Sequence, residues 1–410
     1  MNVPRFFKND LVAAWAALAL CSALPSQAAH SSSPSPTAHA TPPTTRPQLA
    51  TGATFDREGR LWIVGVNEQG RLFTQYSNPD QIKALTPPRV LDQVHDTIVA
   101  DGENYPKIAF GPHHWAVISY TKPLSKPYTG FIRMVRSTDA GQSFSAPFTL
   151  HQDQQEIAHR FESVIFDSEG TLHSLWIDKR DQIHLAGQEK YRGAAVYRNT
   201  SNDGGVTFSP DTKVADHSCE CCRISLIANE QGVHALWRHV FDNNIRDHAF
   251  ATLHAQSVPS ITRATQDDWQ INACPHHGPG LASAQNRGFH AVWFGIRRVG
   301  KENQAAVRYG QLHPDGHPIP ESLQTLPDPR AEHADVAAIG ELVVIAWRST
   351  EGHTSTLKAW VSSDGGKSFK LHTLGTAVGA NDHPRLAQSN SRIALVWRTL
   401  NGLQIHEIRK

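Results

Sequence analysis

Methionine is nearly absent from this 410-residue chain, with two in all, and cysteine is scarce, with five. The formal charge is +1, and no long basic run occurs. Bulk electrostatic attraction to nucleic acid is thereby excluded. Long apolar runs are missing too. A membrane-spanning helix needs roughly 20 apolar residues, and only Leu11 to Leu24 comes near that length. That run follows Arg5 and Lys8 and precedes Pro25-Ser26-Gln27-Ala28-Ala29, the layout of a secretory signal peptide over 1–29. A lipoprotein anchor on Cys21 is the rival reading, and the bulky Leu20 before it argues against that. From His30 to Pro47 the chain is Ser, Thr, Pro and Ala with hardly an apolar side chain, too little to bury on folding. The expected organisation is therefore a disordered leader over 30–47 and one folded domain over 48–410. The product is expected to be exported, periplasmic or secreted, with no transmembrane segment.

Removing the signal leaves four cysteines, three of them within the stretch Asp216-His217-Ser218-Cys219-Glu220-Cys221-Cys222-Arg223. The fourth lies in Cys274-Pro275-His276-His277-Gly278-Pro279, about fifty residues on. In an exported protein an even count reads first as two disulfides, with three connectivities open. One of those bridges would have to close within a few residues, which is geometrically tight. Free thiols or a metal are the other outcomes, and His217, His276 and His277 stand ready as imidazole ligands beside Cys219, Cys221, Cys222 and Cys274. Such a mixed set suits copper or zinc. In an extended segment Cys219 and Cys221 face one way and Cys222 the other, so at most two of the three would serve one ion. The spacing matches no standard zinc motif.

What the chain has in abundance is repetition. A short apolar strand, a tight polar turn and a second strand ending near an aromatic recur at about 50 to 60 residues. The pairs are Ala53-Thr54-Phe55 with Leu61-Trp62-Ile63, Ile108-Ala109-Phe110 with Trp115-Ala116-Val117, and Val164-Ile165-Phe166 with His173-Ser174-Leu175-Trp176. They continue with Ser225-Leu226-Ile227 and His234-Ala235-Leu236-Trp237, and Gly280-Leu281-Ala282 and His290-Ala291-Val292-Trp293. Val336-Ala337-Ala338 with Val344-Ile345-Ala346-Trp347, and Arg385-Leu386-Ala387 with Ala394-Leu395-Val396-Trp397, complete the set. A third strand usually follows. Alternating, β-branched hairpins at this period are blades of an all-β propeller with four-stranded antiparallel blades. Seven copies predict seven blades, with six as the alternative. The last copy ends one strand short after Ile408, and the segment Gln48 to Gly52 is expected to supply the missing edge.

Three copies carry S-x-D-x-G-x-x-F after the third strand: Ser137-Asp139-Gly141-Phe144, Ser201-Asp203-Gly205-Phe208 and Ser362-Asp364-Gly366-Phe369. The physical reading is a turn whose Asp caps backbone N–H groups, whose Gly is left-handed and whose Phe plugs the blade. The motif resembles the Asp-box, or BNR repeat, of sialidase-like propellers of the neuraminidase superfamily, and the likeness covers nearly all the mature chain. It implies a structural role for these residues, on the face away from the active site.

In a propeller the first strand of each blade lines the axis, and the loops leading into it open on the functional face. Those loops hold Asn104-Tyr105, His159-Arg160, His217 with its cysteines, Cys274 with its histidines, His333 with Asp335, and Asp382-His383. The loops after the second strands carry Arg180, Arg238, Arg348 and Arg398 among others. Arginines converging on one mouth would take a carboxylate or phosphate bidentately; inter-blade salt bridges with Asp178, Asp181, Asp242 and Asp247 are the structural use of the same residues. The resemblance implies binding of an acidic small molecule or glycan at the funnel and, were the chain an enzyme, an exo-acting glycoside hydrolase of sialidase type. The first blade nevertheless reads Ala53-Thr54-Phe55-Asp56-Arg57-Glu58, without the family's Phe- or Tyr-Arg-Ile-Pro motif, and Tyr105 and Tyr309 have no paired glutamate to make a nucleophile. A periplasmic metal-binding protein built on the Cys/His cluster is the second functional reading.

Overall fold

The computed structural model describes residues 47–184, 193–254, 258–285 and 288–409. The expected signal peptide, and all of the expected leader but Pro47, lie outside them. Seven antiparallel sheets follow one another along the described chain. Blade one pairs Thr51–Phe55, Leu61–Val66, Leu72–Asn78 and Gln81–Leu85, with the short Arg89–Val90 also on its third strand. Blade two runs from Lys107–Phe110 to Phe148–Thr149, blade three from His159–Phe166 to Thr212–Ser218, and blade four from Ser225–Asn229 to Thr262–Arg263. Blade five spans Gly280–Ser283 to Pro318–Thr325, and blade six Ala331–Ile339 to Lys370–Val378. Blade seven has three strands, Arg385–Gln388, Arg392–Thr399 and Gly402–Arg409.

The first strand of each blade lies against that of the next, and the first strand of blade seven meets Thr51–Phe55, so the ring closes. This is a seven-bladed β-propeller. Each blade must cover both faces, which is why second strands such as Leu61–Val66 and Leu172–Asp178 are buried at every position. Their tryptophans are the largest buried side chains, and the apolar clusters lie between blades: Val292 and Tyr309 of blade five pack with Val343 and Trp347 of blade six. The three S-x-D-x-G-x-x-F turns are alike. In each the Ser hydroxyl donates to the Asp carboxylate at 2.7 Å and accepts the Gly N–H at 2.9 Å, while Gly141, Gly205 and Gly366 take φ of 81°, 86° and 84°.

The closure differs from expectation. Residues 48–50 are not in a strand, and Thr51–Phe55 belongs wholly to blade one, so blade seven keeps its three strands. Its last strand instead packs face to face against Gln81–Leu85 of blade one, Ile82 and Leu85 sharing an apolar cluster with Leu403 and Ile405. The seam is held by polar contacts: Thr51 N–H donates to Asp382 at 2.9 Å, and Arg398 to the Val66 carbonyl at 2.9 Å.

Candidate functional site

A cavity of about 880 Å³ sits where the loops leading into the first strands meet, and every blade contributes to it. Blades one to seven supply, in order, the segment 47–50, Asp101 to Glu103, Ala158 with Arg160 and Phe161, Glu220 and Cys221, Cys274 and His276, His333, and 380–383. Tyr128, Lys179 and Arg348 reach it from loops or strand ends after second strands.

The floor is organised by one carboxylate. Glu103, buried, accepts Arg223 Nη1 at 2.8 Å, the Arg223 N–H at 3.1 Å and the Gly278 N–H at 2.8 Å. The Nδ1 atoms of His333 and His383 each lie 3.4 Å from the same Oε1, His333 with hydrogen-bond geometry and His383 without it. Blades two, four, five, six and seven thus meet on one side chain. Burial alone would push the Glu103 carboxyl up; the Arg223 guanidinium, with the two imidazoles, reverses this and holds it well below the usual range. Burial lowers His333 to about 4, which Glu103 only partly offsets, and lowers His383 well below its usual value, so both are neutral at pH 7. Their rings stack 3.4 Å apart and 12° from parallel. An imidazole takes a metal ion in its own plane, so this stacked pair cannot aim at one ion with Glu103, although the three lie close enough together to be ligands. Two further pairs line the axis: Lys107 with Glu162 at 3.6 Å, both buried, and Tyr105 between Lys107 and Arg385.

Of the residues expected to bind a ligand, Arg160, Arg348, His333, Asp382 and His383 border the cavity. Arg160 reaches Asp101 at 3.5 Å, and burial raises the Asp382 carboxyl to about 6. The others do not border it. His159 is fully buried, stacked on His151 at 3.8 Å, with Asp153 3.2 Å from Nε2. Arg180 is bound to Asp178 and Asp211 at 2.7 and 2.9 Å. Asp335 accepts the N–H groups of Val336 and Leu386, joining blades six and seven. Arg238 donates to the carbonyls of Arg246, His277 and Phe294, and Arg398 to that of Val66. The convergence of Arg238, Arg348 and Arg398 on one mouth is therefore corrected. The tryptophan before each faces a blade interface, and the arginine turns to the carbonyls of the following blade; only Arg348, bound to Glu332 and Asn381, also touches the cavity. Tyr309 is buried off the axis, its hydroxyl on His290 at 2.7 Å. Glu103 and Tyr128 went unread in the sequence, since a lone carboxylate or tyrosine in a loop has no periodic signal.

The cysteines lie in a turn between blades three and four, and the turn overturns the expectation that Cys222 faces away. Because residues 219–222 are not extended, the three Sγ atoms converge, 3.7 to 3.9 Å apart, and all are buried. None is in a disulfide, and Cys274 is also free, so the two-bridge expectation is not met. The Cys221 and Cys222 thiols, in contact with Cys219 Sγ, hold it well below the usual thiol range. The histidines stand apart from this group. His217 lies at the end of its strand, its carbonyl bound by Val240 N–H at 2.6 Å and its ring edge toward His239. His276 is exposed on the cavity, and His277 stacks between Phe294 and His333.

No protein-family model and no curated protein sequence matches the chain. Among solved structures, it is similar to an ulvan lyase of polysaccharide lyase family PL25 bound to -[GlcA(1-4)Rha3S]-. Identity is 12% and the TM-score 0.53, over 89% of this chain and 94% of that one. A second polysaccharide lyase gives 10% identity and a TM-score of 0.54 over 89% and 90%. A Hadza microbial sialidase gives 11% and 0.45 over 83% and 73%. At these identities the likeness is one of fold.

Proposed function

We propose that the axial cavity binds an acidic saccharide. The observation that carries this reading is the company the cavity keeps: Tyr128, 82% exposed, stands on its rim, and Arg160, Lys179 and Arg348 surround it. An exposed aromatic ring offers a flat apolar face to a sugar ring. A guanidinium takes a carboxylate or sulfate by charge-assisted hydrogen bonds. The neutral imidazoles of His333 and His383 add polar contacts without a fixed charge. The polysaccharide lyases of similar fold, one of them bound to -[GlcA(1-4)Rha3S]-, support a saccharide over other anions.

The test is calorimetric titration with uronate- and sialate-containing oligosaccharides beside neutral ones of equal length. Acidic chains are expected to bind, more weakly as salt rises. Arg348→Ala should weaken binding about tenfold or more, the worth of one charged hydrogen bond, and Tyr128→Ala at least about fivefold. Equal binding of neutral chains, or binding unchanged in both variants, would refute the reading.

A further inference from the structure

The turn after blade three sets three buried sulfurs at the corners of a nearly equilateral triangle. Cys219 to Cys221 is 3.7 Å, Cys221 to Cys222 is 3.8 Å, and Cys222 to Cys219 is 3.9 Å. A disulfide would require about 2.05 Å. A point at the centre of such a triangle lies about 2.2 Å from each sulfur, close to a metal–thiolate bond, and a tetrahedral zinc–thiolate site with bonds of about 2.3 Å has sulfur–sulfur edges of about 3.8 Å. The spacing is that of ligands around an ion.

A fourth sulfur and two positive charges complete the surroundings. Cys274 stands at the cavity in the loop leading into blade five, but its sulfur is not within 4.8 Å of all three of the trio. Arg246 Nη1 lies 3.5 Å from Cys219 Sγ, and the Arg238 guanidinium also acts on Cys219 and Cys222. Those charges offset the negative charge that three or four thiolates carry around a cation, as outer partners of metal ligands do. The backbone is fixed as well, since Cys219 N–H donates to the Arg238 carbonyl at 3.0 Å. Cys221 and Cys274 border the axial cavity, which gives an ion a way in.

We propose that Cys219, Cys221 and Cys222 bind one thiolate-seeking d10 cation, copper(I) or zinc(II), whatever fills the axial cavity. The trio alone is a trigonal site of the kind copper(I) accepts, while zinc(II) takes a fourth ligand, which Cys274 would supply by closing on the trio. A proton leaves for each thiol that becomes a thiolate ligand, and the oxidation state of the ion does not change.

The full-length protein, reduced under argon, would be loaded separately with zinc(II) and with copper(I), desalted against a weak chelator and analysed for metal. About one ion per chain is expected in each case. Cys222→Ser should lower retention of both ions at least tenfold, whereas Cys274→Ser should lower zinc(II) retention tenfold and leave copper(I) bound. Cobalt(II) in place of zinc(II) should show thiolate charge-transfer absorption that Cys222→Ser abolishes. Should Cys222→Ser not fold, alkylation of the wild type is the second readout: bound metal must shield Cys219, Cys221 and Cys222, read peptide by peptide by mass. Metal-free wild type after loading, alkylation indifferent to metal, or metal retained equally by a folded Cys222→Ser would each overturn the proposal. Titration with acidic saccharide is a separate measurement, so failure of one assignment leaves the other standing.

Discussion

Arg238 is 1% exposed and gives its donors to three carbonyls, two of which belong to the blade-five side of the interface. Arg238→Leu would leave those carbonyls buried and unpaired, at about 1–3 kcal/mol each, and should lower the calorimetric melting temperature while saccharide affinity stays within twofold. Arg348 should behave the opposite way, because it faces the cavity and is only partly buried. Glu103→Gln keeps the shape of the hub but strips the charge opposite buried Arg223; breaking such a pair costs about 3–5 kcal/mol, read as a lower denaturant midpoint. Gly278 is the matching backbone position. A Cβ there would run into the Arg223 side chain and Glu103 Oε2, so Gly278→Ala should reproduce the Glu103→Gln defect without removing any charge.

At the scale of elements, Gln81–Leu85 serves a blade to which it does not belong in sequence order. Ile82 is buried against the outer part of blade seven. Ile82→Asp should therefore speed hydrogen exchange of the Gly402–Arg409 amides while those of blade four stay protected; uniform exchange across both would show that the strand covers nothing. The strands themselves could be read from the chain because each second strand is largely apolar on both faces, and in blades three to seven it carries a tryptophan, a pattern that survives without any knowledge of neighbours. The turn at Cys219 to Cys222 could not be read that way. Alternation of side chains holds only while the backbone is extended, and the chain there leaves the extended state. Glu103 was hidden for a different reason: its partners come from four other blades, so its role exists only once the ring has closed. Arg238 and Arg398 were visible as residues, but the choice between ligand and carbonyl depends on which way the following blade presents its backbone.

For the whole molecule, burial keeps many histidines uncharged. His151 is lowered to about 3, and His234, His290 and His333 to about 4, burial being the leading cause in each. Unfolded, each would titrate near 6.5. The unfolded chain therefore takes up protons below about pH 6.5 that the fold refuses, so the stability these residues allow is complete above that pH and is lost as pH falls toward 4, by up to about 1.4 kcal/mol per histidine per pH unit. Asp382, raised to about 6, and Asp247, also raised by burial, oppose this. Urea midpoints should hold above pH 7 and drop steeply between 6.5 and 4.5; a flat profile would mean that the histidines are charged inside the fold. The same ring has a consequence for how such a molecule can change over generations. Repeat proteins gain and lose copies by duplication and deletion, and interfaces between like blades would tolerate either. Here a single glutamate joins segments of five blades, and its span is that of one side chain. An added copy would widen the axis beyond its reach, and a lost one would crowd its partners, so the number of copies can drift only after that glutamate has been given up.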